Sequence, residues 1–278
     1  MSSLTVLETG PLATIQDCGR AGQAALGVPM SGACDRCSYA LANRLVGNPS
    51  GAAAVEVTYG GLALHADNDV VLAITGAPCT GVPLNAPTLL KSGEVLRLGP
   101  PTSGLRTYLA VRGGIEVAPV LGSRSTDLLS GLGPLPLAAG QTLQVGAPAH
   151  PMPGVDQAPV AHPAAGQVEV RVTPGPRKDW FTDAAWTSLT SQVYEVSTNS
   201  NRVGVRLDGT PLERARSGEL ASEGMTHGAI QIPPSGTPVI FLADHPVTGG
   251  YPVIAYVAAD DLDACAQLRP GQPVRLVS

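Results

Sequence analysis

Glycine and proline interrupt this chain so often that long helices are excluded. Its 278 residues include 33 Gly and 26 Pro, about a fifth of the chain, yet apolar segments recur along its whole length. Proline removes a backbone donor and clashes with the preceding helical turn, and glycine favours turns. Breakers at this density with apolar runs between them read as many short strands joined by tight turns. The length suits one large domain or two ordinary ones. At 44% hydrophobic and a net charge of -5, the chain is expected to bury a real core rather than stay disordered.

Alternating or continuous apolar runs place strands at 3–8, 53–58, 61–65, 69–74, 94–98, 105–111, 141–145, 168–173, 192–196, 203–207, 228–232, 238–242, 253–257 and 273–277. Helices are expected at Asp35–Val46, with an acidic cap and a stop at Gly47, at Thr182–Ser191, and at Ala259–Leu268 with an acidic first turn. A Gly-x-x-apolar-polar-apolar form recurs at Gly93, Gly140 and Gly271. It fits either ordinary β-turn chemistry or two related lobes. The stretch 147–166, rich in Pro, Ala and Gly and nearly uncharged, reads as a semi-rigid connector. The expected organisation is a first lobe over 1–150, a connector over 151–166 and a second lobe over 167–278.

Several chemistries drop out. With 17 Lys+Arg against 22 Asp+Glu there is no cationic field for nucleic acid. Lys91 and Lys178 are the only lysines, and neither follows a glycine as in a nucleotide-binding P-loop or sits as a biotin attachment lysine would. Neither a nucleophile elbow nor a dinucleotide fingerprint occurs. Cys34-Asp-Arg-Cys37 lacks the second pair a zinc site needs, and no metal is expected. Five cysteines, no apolar run near 18 residues and a start without a leader-like pattern set the expectation of a reduced, cytoplasmic protein without a membrane span.

Polar residues crowd into glycine-rich loops at three places. In the first, residues 14–35, Asp17 and Arg20 are three apart and either clasp each other or reach a cleft with Gln16. In the second, Gly122-Ser-Arg-Ser-Thr, Arg124 and Ser125 suit an anion, although such loops also cap helices. The third spans 199–204, 222–234 and 243–252 and carries Arg202, Glu223, Gln231, Asp244, Thr248, Gly249, Gly250 and Tyr251. Loops over a rigid β scaffold commonly hold sites, and Glu223 with Asp244 would form an acid/base pair if they converge. Turn and bulge chemistry is the alternative.

The runs Ile15-Gln-Asp-Cys-Gly-Arg, Gly27-Val-Pro-Met-Ser-Gly-Ala-Cys-Asp, Ala42-Asn-Arg-Leu-Val-Gly-Asn, Glu56-Val-Thr-Tyr-Gly-Gly, Tyr108-Leu-Ala-Val-Arg-Gly-Gly, Gly122-Ser-Arg-Ser-Thr, Asn201-Arg-Val-Gly, Gly228-Ala-Ile-Gln-Ile-Pro-Pro and Thr248-Gly-Gly-Tyr-Pro resemble, in order, the biotin-dependent carboxyltransferase family. That family includes allophanate hydrolase subunit 2, KipA-type proteins and the C subunit of 5-oxoprolinase. The resemblance implies a mainly β fold of two cyclophilin-like β-barrel lobes with a few short helices. It also implies a partner of the KipI-like (allophanate hydrolase subunit 1) type and, in an ATP-dependent 5-oxoprolinase, a LamB/YcsF-type subunit. Two positions depart from the family pattern. His245 and Pro246 replace an arginine and a glutamine, and the apolar run 132–137 replaces Gly-Arg-Gly-Leu.

The leading expectation is therefore a heteromeric lactam-opening subunit that converts 5-oxo-L-proline to L-glutamate with ATP and carries no covalent biotin. Asp17, Glu223 and Asp244 would handle protons or orient the substrate. Gln16, Arg20, Arg124, Ser125, Arg202, Gln231, Thr248, Gly249, Gly250 and Tyr251 would hold a small substrate in a groove. The alternatives are a carboxyltransferase or amide-hydrolase subunit of urea and allophanate metabolism, and a non-catalytic regulator of a KipI-like antikinase.

Overall fold

The computed structural model describes residues 2–218 and 220–278. The chain divides into two compact units. One takes the residues up to Ala21, Ser31–Asp127 and Gly131–Pro163; the other takes Gly22–Met30, Leu128–Ser130 and Ala164–Ser278.

The first unit contains β1 (Ser3–Thr9), β2 (Leu12–Gln16), β3 (Ala54–Thr58), β4 (Leu62–Ala66), β5 (Val70–Gly76), β6 (Pro87–Leu90), β7 (Val95–Arg97), β8 (Arg106–Val111), β9 (Ile115–Glu116) and β10 (Thr142–Val145). They form two five-stranded sheets, β7-β4-β1-β10-β9 and β2-β3-β8-β5-β6, rather than one closed barrel. Period-2 alternation explains how the sheets pack. Leu4, Val6, Leu62 and Leu64 of the first sheet share one core with Ile15, Val55, Val57, Leu72, Ile74 and Leu109 of the second. The other face of the second sheet presents Ala54, Ala73, Tyr108 and Ala110 to α1 (Arg36–Leu45), which buries Tyr39, Ala42 and Leu45 against them. Strand β8 is thus buried on both faces. Alanines beneath the helix leave room for it to lie close.

The start of α1 is fixed by side chains. The Asp35 carboxylate accepts the Ser38 N–H at 2.8 Å and its hydroxyl at 2.6 Å, the cap that the sequence suggested. Buried Glu56 on β3 accepts the Tyr108 hydroxyl at 2.7 Å and the Cys34 N–H at 3.0 Å, while the Asp35 N–H donates to Tyr108. Burial, with the charge of Glu56 beside it, keeps the Tyr108 phenol well above its usual range. The stretch read as a connector is strapped to this unit. Arg112 donates to the carbonyls of Val46 and His150 at 2.9 and 2.7 Å, Gln157 to Leu84 at 3.1 Å, and the Ala158 N–H to Asn85 at 2.8 Å.

The second unit contains β11 (Val168–Pro174), α2 (Asp183–Ser191), β12 (Val193–Val196), β13 (Gly204–Asp208), β14 (Glu223–Gly224), β15 (Ala229–Gln231), β16 (Val239–Phe241), β17 (Thr248–Gly249), β18 (Val253–Val257), α3 (Leu262–Ala266) and β19 (Pro273–Val277). A closed barrel runs β11-β18-β15-β16-β13-β12-β19. Its neighbours are antiparallel except β11 and β19, which close it in parallel. Strands β14 and β17 form a separate two-stranded ribbon.

The fold is mainly β, and the barrel expected from the resemblance is found in this second unit. Every strand and helix read from the sequence is present, within a few residues at the ends except that α3 is shorter and preceded by a 3-10 turn. Gly93, Gly140 and Gly271 each hold φ between +80° and +85° just before β7, β10 and β19, a left-handed turn that glycine adopts without strain. No helix among the described residues is long and apolar enough to cross a membrane.

Candidate functional site

The first unit brings the first two polar segments together. On β2, Ala13 and Ile15 face the core, so Thr14 and Gln16 face the opposite side. Gln16 Nε2 donates to Thr14 Oγ1 at 3.0 Å and to the Thr126 carbonyl at 2.9 Å. Where β2 ends, Asp17 enters the 122–126 loop. Its Oδ1 accepts the Ser123 and Ser125 hydroxyls, both at 2.6 Å, and the Gly19 N–H at 2.8 Å; its Oδ2 accepts the Arg124 N–H at 2.6 Å. Burial alone would raise this carboxyl, but the four hydrogen bonds outweigh it and hold the group below the usual carboxylate range.

The loop that the sequence offered as an anion cradle is therefore filled by the protein's own carboxylate. Nucleotide phosphates do not fit there, because the donors that would hold them are taken by Asp17. Nor do Asp17 and Arg20 clasp each other. Arg20 Nη2 donates to the Ser125 carbonyl at 2.5 Å and Nε to Val120 at 3.4 Å, with Nη1 4.0 Å from Asp127. Gly133, at φ +84°, lies so close that an added methyl group would collide with the Ser125 carbonyl oxygen. Gln16, Asp17, Arg20 and Ser125 are all buried. Arg124 is half-buried, and its Nε donates to the Val117 carbonyl at 2.9 Å.

The second unit splits the third polar segment in two. Asp244 and Arg202 are 0% and 1% exposed. Asp244 Oδ2 accepts Arg202 Nε at 2.9 Å and the Leu128 N–H at 3.1 Å, Oδ1 accepts Nη2 at 3.0 Å, and the Asp244 N–H returns to the Arg202 carbonyl at 3.0 Å. Next to it, His245 is buried against Phe241, with ring centroids 6.2 Å apart, and its Nδ1 lies 2.8 Å from the Pro246 carbonyl.

The rest lies on or just after the β14–β17 ribbon, except Gln231, which is buried on β15. Glu223 pairs in register with Gly249, and Gly224 with Thr248. Glu223 is gripped in a fork by Arg177, Nε to Oε2 at 3.0 Å and Nη2 to Oε1. That grip holds the Glu223 carboxyl below its usual range. Gln231, at a bulge in β15, donates to the Tyr251 carbonyl at 2.9 Å. A side chain at Gly249 would start 2.8 Å from Gln231 Nε2, so that amide would have to move aside. Tyr251 is 44% exposed.

Residues 26–278 match the carboxyltransferase domain, subdomain A and B. The chain belongs to the carboxyltransferase domain family. Within that family it is 36% identical to the 5-oxoprolinase C subunit of Escherichia coli, over 99% of this chain and 90% of the relative. It is 34% identical to the urea amidolyase of Saccharomyces cerevisiae, over 99% of this chain but only 16% of that protein. The crystal structure of TTHA0988 superposes with a TM-score of 0.87 at 38% identity; all of this chain is covered, but it spans just 56% of that one. The urea amidolyase of K. lactis gives a TM-score of 0.89 at 32% identity, with this chain covering 18% of it.

In this carboxyltransferase domain, Glu223 and Asp244 do not share a proton-handling pair; each is bound by its own arginine. Sequence reasoning passes over Arg177. Its signal is positional. It follows Gly175-Pro176 at the end of β11, where a side chain on Gly175 would strike the backbone of Val253 and Ile254, so the chain is pinned as it leaves the barrel. Lys178 stacks 4.6 Å over the Trp186 ring. Among the described residues no His, Cys, Asp or Glu cluster could hold a metal ion.

Proposed function

We propose that this chain is a subunit of an ATP-dependent 5-oxoprolinase that opens 5-oxo-L-proline to L-glutamate. It works with a KipI-like subunit and a LamB/YcsF-type subunit. The observation that carries the reading is the end-to-end likeness to the 5-oxoprolinase C subunit, which leaves little of either sequence unmatched. The geometry supports a division of labour. The cradle at 122–126 is closed by Asp17, so the reading places ATP on a partner. The polar surface of the β14–β17 ribbon, with Glu223, Thr248, Gly249, Gly250 and Tyr251 in front of the buried Gln231, is this chain's contribution to substrate binding. Asp17, Arg20, Arg202 and Asp244 serve as its scaffold.

Co-purification of this chain with the two partner subunits, followed by measurement of ATP-dependent glutamate release from 5-oxo-L-proline, tests the reading. Glutamate release that needs all three subunits is the expected result; an assembled complex that forms and turns over nothing sinks it. The likeness to urea amidolyase favours a second reading, carboxyl transfer to a urea-type amide. ATP- and biotin-dependent carboxylation of urea by an assembled complex, without glutamate release, would select it.

A further inference from the structure

The β14–β17 ribbon carries two glycines that the fold does not demand. Gly224 has nothing within 4 Å of where a side chain would start, and Gly250 meets only the Leu220 carbonyl oxygen, at an ordinary 3.5 Å. Neither has the left-handed φ that excludes other residues. Glycine in such a setting costs backbone entropy and returns no packing. Both flank the Arg177–Glu223 pair, one directly after Glu223 and the other directly after Gly249, its register partner. The guanidinium and carboxylate of that pair remain 36% and 26% exposed. A forked arginine with water access, side-chain-free backbone around it and the exposed Tyr251 next in sequence have the chemistry of a carboxylate receptor. Its own Glu223 occupies the fork.

We propose that Arg177 is the anchor of a subsite for a small carboxylate, with Glu223 as the internal anion that the ligand displaces and Gly224 and Gly250 as the clearance that admits it. This deepens the reading above, since 5-oxo-L-proline carries a ring carboxylate. It names the part of this chain that would hold that group. An exposed pair is worth little to the fold, so exchange of one carboxylate for another is inexpensive. The planar guanidinium fork offers a ligand carboxylate the same two parallel hydrogen bonds it now gives Glu223.

The test is titration of the full chain, by NMR or calorimetry, with 5-oxo-L-proline, with acetate and with 2-pyrrolidinone, the same ring without its carboxylate. Wild type binds the two carboxylates and not the lactam alone. Arg177→Ala loses about ten- to a hundredfold in affinity. Glu223→Gln, which removes the competing charge and keeps the size, binds about two- to fivefold more tightly. Gly224→Ala and Gly250→Ala weaken binding while the unfolding midpoint holds or rises.

A purely structural latch predicts instead that Arg177→Ala and Glu223→Gln act in the same direction; that result overturns the proposal. So does absence of carboxylate binding by wild type, equal binding of 2-pyrrolidinone, or binding that ignores Gly224→Ala and Gly250→Ala. Acetate separates this proposal from the assigned reaction. Arg177-dependent acetate binding in a chain whose assembled complex releases no glutamate leaves the subsite standing and removes the 5-oxoprolinase reading. Glutamate release unaffected by Arg177→Ala does the reverse.

Discussion

Asp17 and Glu223 are both carboxylates held below their usual titration range by hydrogen bonds, and they do opposite work. Asp17 is buried and takes its four donors from one loop and the turn beside it, two of them backbone N–H groups. Glu223 is on a ribbon of two-residue strands and takes both of its donors from one flexible side chain that water partly reaches. In the first case the donors have nowhere else to turn, so the carboxylate is part of the wall. In the second, water and any other anion compete for the same guanidinium. The same chemistry is scaffold in one place and an exchangeable contact in the other, and solvent access decides which.

The largest break should come from the buried pair in the barrel unit. Arg202→Ala strands the Asp244 charge in an interior position and should cost about 3–5 kcal/mol. Urea unfolding reads this directly, and a loss under about 1 kcal/mol, the range of an exposed pair, would mean that Asp244 finds solvent. Next is Asp17→Asn, which keeps the shape but turns an acceptor into a donor that faces either the Ser123 and Ser125 hydroxyls and the Gly19 N–H or the Arg124 N–H. A loss of about 2–3 kcal/mol is expected. The pH dependence sharpens the point. The folded carboxyl titrates below its unfolded value of about 3.9, so its stabilisation is fully present above about pH 4 and fades as pH falls through the folded value. Asp17→Asn should therefore flatten the acid limb of the stability profile; an unchanged limb would rule out the assignment. A smaller loss, about 1–3 kcal/mol, is expected of Gly133→Ala, which combines a left-handed φ with the collision at Ser125.

Much of this architecture is legible in the residues, because period-2 patterning and turn glycines are local signals. Several edge strands are not. β2 reads as part of a polar loop, since Thr14 and Gln16 look like site residues until alternation puts Ala13 and Ile15 in the core between them. β9, β14 and β17 are two residues long, too short for any period. The polar clusters are legible as clusters, but not as buried or exposed. Nothing local tells that the Ser123–Ser125 loop folds back on a carboxylate more than a hundred residues earlier, or that Asp244 is sealed by Arg202 while Glu223, twenty-one positions before it in the sequence, faces water. Arg177 escapes notice for the same reason: its partner is forty-six residues away.

The smallest expected effect is the most discriminating. Glu223→Gln should barely move the unfolding midpoint at low salt, and that small change should vanish when ionic strength is raised to about 1 M, where the screening length falls to about 3 Å. The Asp17→Asn loss should survive the same salt nearly intact, because ions cannot enter the loop that encloses Asp17. Paired unfolding curves of the two variants at low and high salt test both statements at once. A Glu223 effect that persists in salt would make the ribbon pair a structural clamp. An Asp17 effect that fades would mean that the cradle is open to solvent and free to take an outside anion.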